Sequence, residues 1–99
     1  AGVPPDSVIA GLEGTEFAAT ILGNRPTLDV PLARAEMVVA ARAMTAANPK
    51  VGAILLECTN MVPYAPDIAT ATGLPVYSIH NYLRWFHDAL APTAFAPPD

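Results

Sequence analysis

Apolar residues along this chain fall into helix-like stripes separated by short, nearly unbroken runs, and that alternation predicts an α/β fold. Asp29 before Val30 is a good N-cap and Pro31 suits a first turn, so a helix is expected from Val30 to Ala47, closed by Asn48-Pro49. Its Leu32, Ala35, Met37, Val38, Val39, Ala41 and Met44 form a broad apolar face. Arg34, Glu36 and Arg42 mark a narrow exposed stripe. A brief helix is expected from Thr15-Glu16-Phe17 to Leu22, ended by Gly23-Asn24-Arg25-Pro26. Two further helices follow, from Pro63 to Thr72 with Gly73 as terminator, and from Asn81 to Ala91 with Leu83, Phe86 and Leu90 on one face.

Between the helices lie three candidate strands: Ser7–Leu12, Val51–Leu56 and Pro75–Ile79. Val51–Leu56 is apolar at nearly every position, as a strand covered on both faces requires, so it is expected at the centre of a parallel sheet beside the strand near Val76. Right-handed crossovers then give three parallel strands flanked by helices, a three-layer arrangement of flavodoxin-like or Rossmann-like kind. The stretch from Pro92 to Asp99 holds three prolines and reads as an extended tail. Residues 1–91 are read as one α/β lobe and 92–99 as the Pro-rich tail. Ala1-Gly2-Val3-Pro4-Pro5 reads like a helix end followed by a turn inside a longer protein.

Composition narrows the possible partners. Hydrophobic residues make up 53% of the chain and charged residues only 14%, about half the usual charged share, which predicts apolar surface covered by association, including a homo-oligomer. Net charge is −4, and Arg25, Arg34, Arg42, Lys50 and Arg84 are dispersed, so nucleic acid and anionic membrane are set aside as partners. One cysteine makes no internal disulfide, and two histidines without close carboxylates give no metal-ligand spacing. No apolar stretch approaches a membrane span and no basic-then-apolar leader opens the chain. The expectation is a cytoplasmic, metal-free protein.

The candidate chemistry lies in Gly52–Met61, G-A-I-L-L-E-C-T-N-M. It puts Cys58 at the carboxyl end of an apolar strand and before a helix, where backbone N–H groups and the helix dipole favour an anion. Open parallel sheets bind ligands at that edge. Thr59 and Asn60 add polar groups able to hold a carboxylate or orient the sulfur. A lone Cys is also among the most buried residue types, so a packing role stays open beside the chemical one.

The run "GAILLECTNMVPYAPDIATATGLPVYSIHNYLRWFH" resembles the carboxyl-terminal lobe of the aspartate/glutamate racemase superfamily, most specifically in its strand-borne C-T-N, the following M-x-P-Y-A and G-L-P-V. The upstream segment "GLEG…FAATILGNRPTLDVPLARAEMVVAARAM" is similar to members of the same family. The resemblance implies two pseudo-symmetric α/β lobes, each presenting a cysteine to a shared cleft. It also implies cofactor-independent proton transfer at the carbon α to the carboxylate of an amino acid or related small acid. Cys58 would be one of the two acid/base thiols, the one on the second lobe, with Thr59 and Asn60 as carboxylate or thiolate partners. The other cysteine, the amino-terminal lobe and one strand–helix unit between Val8 and Val51 are then missing, so this chain alone should not racemise anything. Ser78 stands where many relatives carry an acid. The alternatives are isomerisation or decarboxylation of a dicarboxylate, or a non-catalytic flavodoxin-like module with a structural Cys.

Position singles out a few more residues. His80 follows the last strand and so shares the rim with Cys58, which makes it a candidate substrate contact as well as a plain cap. Glu57 is read as binding backbone N–H groups, His87 as surface, Tyr64 as packing, Arg25 as solvated, and Met37 and Met44 as core.

Overall fold

The computed structural model describes residues 4–97, so the helix end read at Ala1-Gly2-Val3 and the tail's Pro98-Asp99 lie outside the described residues. The first helix, α1, runs Glu16–Leu22. Thr15 opens it: its Oγ1 accepts the Ala18 N–H at 3.1 Å and donates to the Leu12 carbonyl at 2.6 Å. Gly23 closes it by donating its N–H to Ala19 at 3.0 Å.

Helix α2 spans Val30–Ala47, with the Asp29 carboxylate accepting the Leu32 N–H at 3.0 Å and proline in the first turn. Its buried stripe is Ala33, Met37 and Ala41, four residues apart along one face. This is narrower than the face expected from the sequence, since Leu32 and Val39 are exposed. The two alanines let neighbouring elements approach closely. Phe17, Ile54, Leu56, Tyr64 and Ile68 complete the core around them.

Among the described residues the sheet has two parallel strands, β1 (Ile54–Leu55) and β2 (Val76–Tyr77), in register Ile54↔Val76 and Leu55↔Tyr77. Backbone bonds from Ile54 to the Pro75 carbonyl (2.9 Å) and from Leu56 to the Tyr77 carbonyl (2.8 Å) flank the pair. Between the strands the chain forms a 3-10 turn, Thr59–Tyr64, and helix α3, Ala65–Thr72. Gly73 ends α3 in the left-handed region at φ +70°, donating its N–H to Ala69. Helix α4, Ile79–Leu90, follows β2 after one residue, Ser78. Its start precedes the expected Asn81 because Asn81 itself reaches back and accepts the Ser78 N–H at 2.9 Å.

Three sequence expectations are corrected here. Ser7–Leu12 is not a strand: it is irregular and largely exposed, with Ile9 at 81%, and nothing among the described residues lies alongside to pair its backbone. Val51–Leu56 is covered on one face only: Ile54 and Leu56 are buried, whereas Leu55 between them is 68% exposed. The helix expected from Pro63 begins two residues later, at Ala65, after a 3-10 turn that contains Pro63, and Pro66 sits in its first turn, where the missing N–H costs no helical bond. Residues 92–97 are irregular and exposed, in keeping with their prolines. The molecule is drawn out, with a radius of gyration of 16.5 Å and a longest extent of 55 Å. A compact domain of this length has a radius of about 13 Å.

Candidate functional site at the end of the first strand

The carboxyl ends of β1 and β2 point the same way, so the segments that follow them share one edge of the sheet. Cys58 is three residues beyond Leu55, in extended backbone (φ −92°, ψ 130°), at the position that opens the 3-10 turn. Its carbonyl accepts the Met61 N–H at 3.0 Å, which fixes the turn. The free thiol is half-buried. Asn60 doubles back so that its Nδ2 donates to Cys58 Sγ at 3.7 Å. Thr59 and Asn60 are exposed, as is Glu57 on the other side of the cysteine.

A six-residue 3-10 helix of two turns follows the cysteine, and the α-helix begins only at Ala65, so Cys58 caps the 3-10 segment and not the α-helix. The sulfur's own partner is a side-chain amide donor, which fixes the direction of the thiol within the turn.

His80 is exposed on the first turn of α4, next to Ser78 and Asn81. These three line the polar end of an open depression of about 470 Å³ whose apolar wall includes Val62, Pro66, Leu74 and Val76. Cys58, Thr59 and Asn60 do not line it. The structure therefore brings Asn60 to the cysteine and gives His80 surroundings of its own. Ser78 is buried and serves α4, donating its hydroxyl to Asn81 Oδ1 at 3.3 Å as well as its N–H. The S-x-x-N spacing of residues 78–81 is the signal by which the sequence could have disclosed this cap.

Tyr64 is buried edge-on against Phe17 with ring centroids 6.2 Å apart, which is a packing role. Arg25 pairs with Glu16 at 3.0 Å on the surface, beside a second open depression of about 350 Å³ that Thr20 and Asp29 also line. His87 is exposed on α4. Among the described residues no three His, Cys, Asp or Glu side chains converge on a point. No helix there is long and apolar enough to cross a membrane.

These observations define a small α/β segment with a half-buried, amide-contacted cysteine at a strand's carboxyl end. Three known proteins of similar sequence carry one activity in their names. The chain is 34% identical over 85 residues to a dimethylsulfoniopropionate lyase of Durusdinium sp. clade D, covering 82% of this chain and 28% of that protein. It is 37% identical over 82 residues to dimethylsulfoniopropionate lyase 5 of Emiliania huxleyi (strain CCMP1516), covering 82% of this chain and 16% of that protein. It is 40% identical over 84 residues to lyase 6 of the same organism, covering 77% and 21%. The chain thus spans under a third of the length of each. No family model matches it, and no solved structure does.

The relatives overturn the racemase assignment, and with it the description as an isomerase: all three are named lyases. The physical reason the resemblance misled is that C-T-N at a strand end specifies where a thiol sits. It does not specify what becomes of the electron pair once a proton has gone.

Proposed function

We propose that this chain contributes the Cys58 segment to the active site of a lyase acting on a small carboxylate that bears a cationic leaving group on its β carbon, of which a dimethylsulfonio group is the leading candidate. The observation that carries the reading is the similarity to three dimethylsulfoniopropionate lyases over most of this chain, together with Cys58 in a half-buried, reachable position. On this reading the Cys58 thiolate removes the proton from the carbon α to the carboxylate. The electrons of that C–H bond become the second bond between the α and β carbons. The β carbon–sulfur bond breaks with its pair going to sulfur, which leaves as a neutral dialkyl sulfide beside an unsaturated carboxylate. Cys58 then returns its proton to water. Loss of a neutral sulfide from a sulfonium needs no protonation of the leaving group, so one base suffices for the bond changes.

On this reading Thr59 and Asn60 meet the carboxylate or hold the sulfur, and His80 contacts a substrate group from the second strand's end. We further propose that the remaining binding groups come from a longer polypeptide, as the lengths of the relatives suggest, and that β1 and β2 belong there to a wider parallel sheet of the three-layer, flavodoxin-like kind.

The test is headspace detection of dimethyl sulfide from dimethylsulfoniopropionate supplied to the intact protein that carries this segment, with Cys58→Ala as the comparison. Loss of about 100-fold or more in kcat with a preserved fold supports Cys58 as the base. An alanine variant as active as the parent overturns it, and an intact protein with no sulfide release overturns the lyase reading.

A further inference from the structure

Loss of a dialkyl sulfide from a β-sulfonio carboxylate leaves a thiol and an electrophile in one site. The three relatives share the word dimethylsulfoniopropionate in their names, and elimination of dimethyl sulfide from that compound gives propenoate. Its carboxylate polarises the double bond, so the β carbon accepts a sulfur nucleophile. Cysteine, as its thiolate, is the side chain best suited to that attack. Cys58 is the chain's single cysteine, its thiol is free, and it is half-buried at the carboxyl edge of the sheet, within reach of a small molecule.

Two features of the reaction favour the encounter. The sulfur that removes the α proton is left beside the α carbon, and the electrophilic β carbon is the next atom along the product. Holding a nucleophile that close turns a slow collision into an intramolecular step. The reverse of the elimination is also the addition of a sulfur nucleophile to this β carbon, with negative charge growing on the α carbon and carboxylate. Groups that steady that charge in one direction steady it in the other. Asn60, with Nδ2 at 3.7 Å from Cys58 Sγ, fixes the direction of the sulfur from which the attack starts.

We propose, resting on the lyase reading, that the site limits itself: propenoate that stays after turnover is captured by Cys58, which becomes S-(2-carboxyethyl)cysteine and is lost as a base. The Cys58 thiolate forms a bond to the β carbon, the second bond between the α and β carbons breaks with its pair going to the α carbon, and the α carbon takes a proton from water. The net change is addition of S–H across the double bond, so no oxidant or reductant takes part. A thioether sulfur takes up no proton near neutral pH, and thiols do not displace it as they do a disulfide. The loss therefore accumulates with turnover.

The experiment supplies propenoate in one arm and dimethylsulfoniopropionate in another to the intact protein that carries this segment. Sulfide release is followed in the headspace, and the peptide bearing Cys58 is weighed after digestion. That peptide should gain the mass of one propenoic acid in both arms while the capacity to release sulfide falls in the same proportion. Propanoate, which has no double bond, should slow both changes by occupying the site. Protein unfolded in urea should be modified at Cys58 about 10-fold or more slowly, since its thiol meets propenoate only by random collision. Sustained sulfide release with Cys58 unmodified overturns the capture and leaves the lyase reading standing. Equal modification of folded and unfolded protein overturns it too, because the site then adds nothing to an ordinary thiol. Fresh protein that releases no sulfide overturns the lyase reading, and the capture falls with it.

Discussion

Glu36 on α2 holds the start of α1 through Phe17: its Oε1 accepts the Phe17 N–H at 2.9 Å while its Oε2 accepts that of Glu16 at 2.8 Å. A carboxylate from another helix thus satisfies two of the free donors that every helix start leaves, and it does so next to Phe17, a buried member of the core. Glu36→Ala is expected to lower stability by about 1–2 kcal/mol, near the upper range for loss of a cap, because two donors lose their partner together. Glu36→Gln, which keeps one acceptor, should lose less. Urea denaturation of the three proteins gives the ordering.

Ile68 on α3 is 2% exposed and packs in the cluster that joins α2 to the sheet. Replacement by alanine removes three buried carbons and leaves a void between elements with little freedom to close, at a cost of about 2–5 kcal/mol. Among the described residues the core holds eight buried apolar side chains, so a loss of that size takes away a large part of the total stability, about 5–15 kcal/mol for a domain of this length. Val39→Ala, at a position 66% exposed on α2, is the control and should change stability by about 0.5 kcal/mol or less. Comparable losses from the two substitutions in thermal or urea unfolding would contradict the assigned core.

Gly73 occupies the left-handed region at φ +70°, and a Cβ there would meet nothing within 4 Å. The cost of Gly73→Ala is therefore backbone strain without collision, about 1 kcal/mol, and Gly73→Asn should recover part of it because asparagine tolerates that conformation. Thermal unfolding of the parent and the two variants gives the comparison. Equal stability for the parent and Gly73→Ala would mean that α3 ends in some other way.

Helices were readable from the sequence where their signals are local. Asp29 with Pro31, and Thr15 before Glu16, mark starts that depend only on residues a turn away, and the structure has α2 and α1 beginning there. Strands were less readable because pairing is decided by what lies alongside. Ser7–Leu12 and Val51–Leu56 look alike in composition, yet only the second has a neighbour, and it pairs over two residues. The Glu36 cap spans about twenty positions, so no short pattern could disclose it. At the site, the run 58–60 showed where the thiol and the amide would be. The contact from Asn60 to the sulfur needed the 3-10 turn, which the residue pattern alone does not tell apart from an ordinary helix start.

That contact gives the last prediction. Asn60 Nδ2 lies 3.7 Å from Cys58 Sγ, while Thr59 makes no hydrogen bond to the sulfur, so the two neighbours should differ in their effect on it. The sulfur is the atom that iodoacetamide alkylates, and a donor held against it fixes the side chain's direction. Asn60→Ala should slow alkylation of Cys58 at neutral pH by roughly 2- to 5-fold, the size of one modest hydrogen bond. Asn60→Asp, which puts a negative charge beside the sulfur, should slow it further, and Thr59→Ala should leave the rate near its starting value. Cys58 is the chain's single cysteine, so mass spectrometry of the whole protein follows the reaction without ambiguity. Equal rates for the Asn60 and Thr59 variants would remove Asn60 from the thiolate's environment and leave its amide free to serve a substrate carboxylate instead.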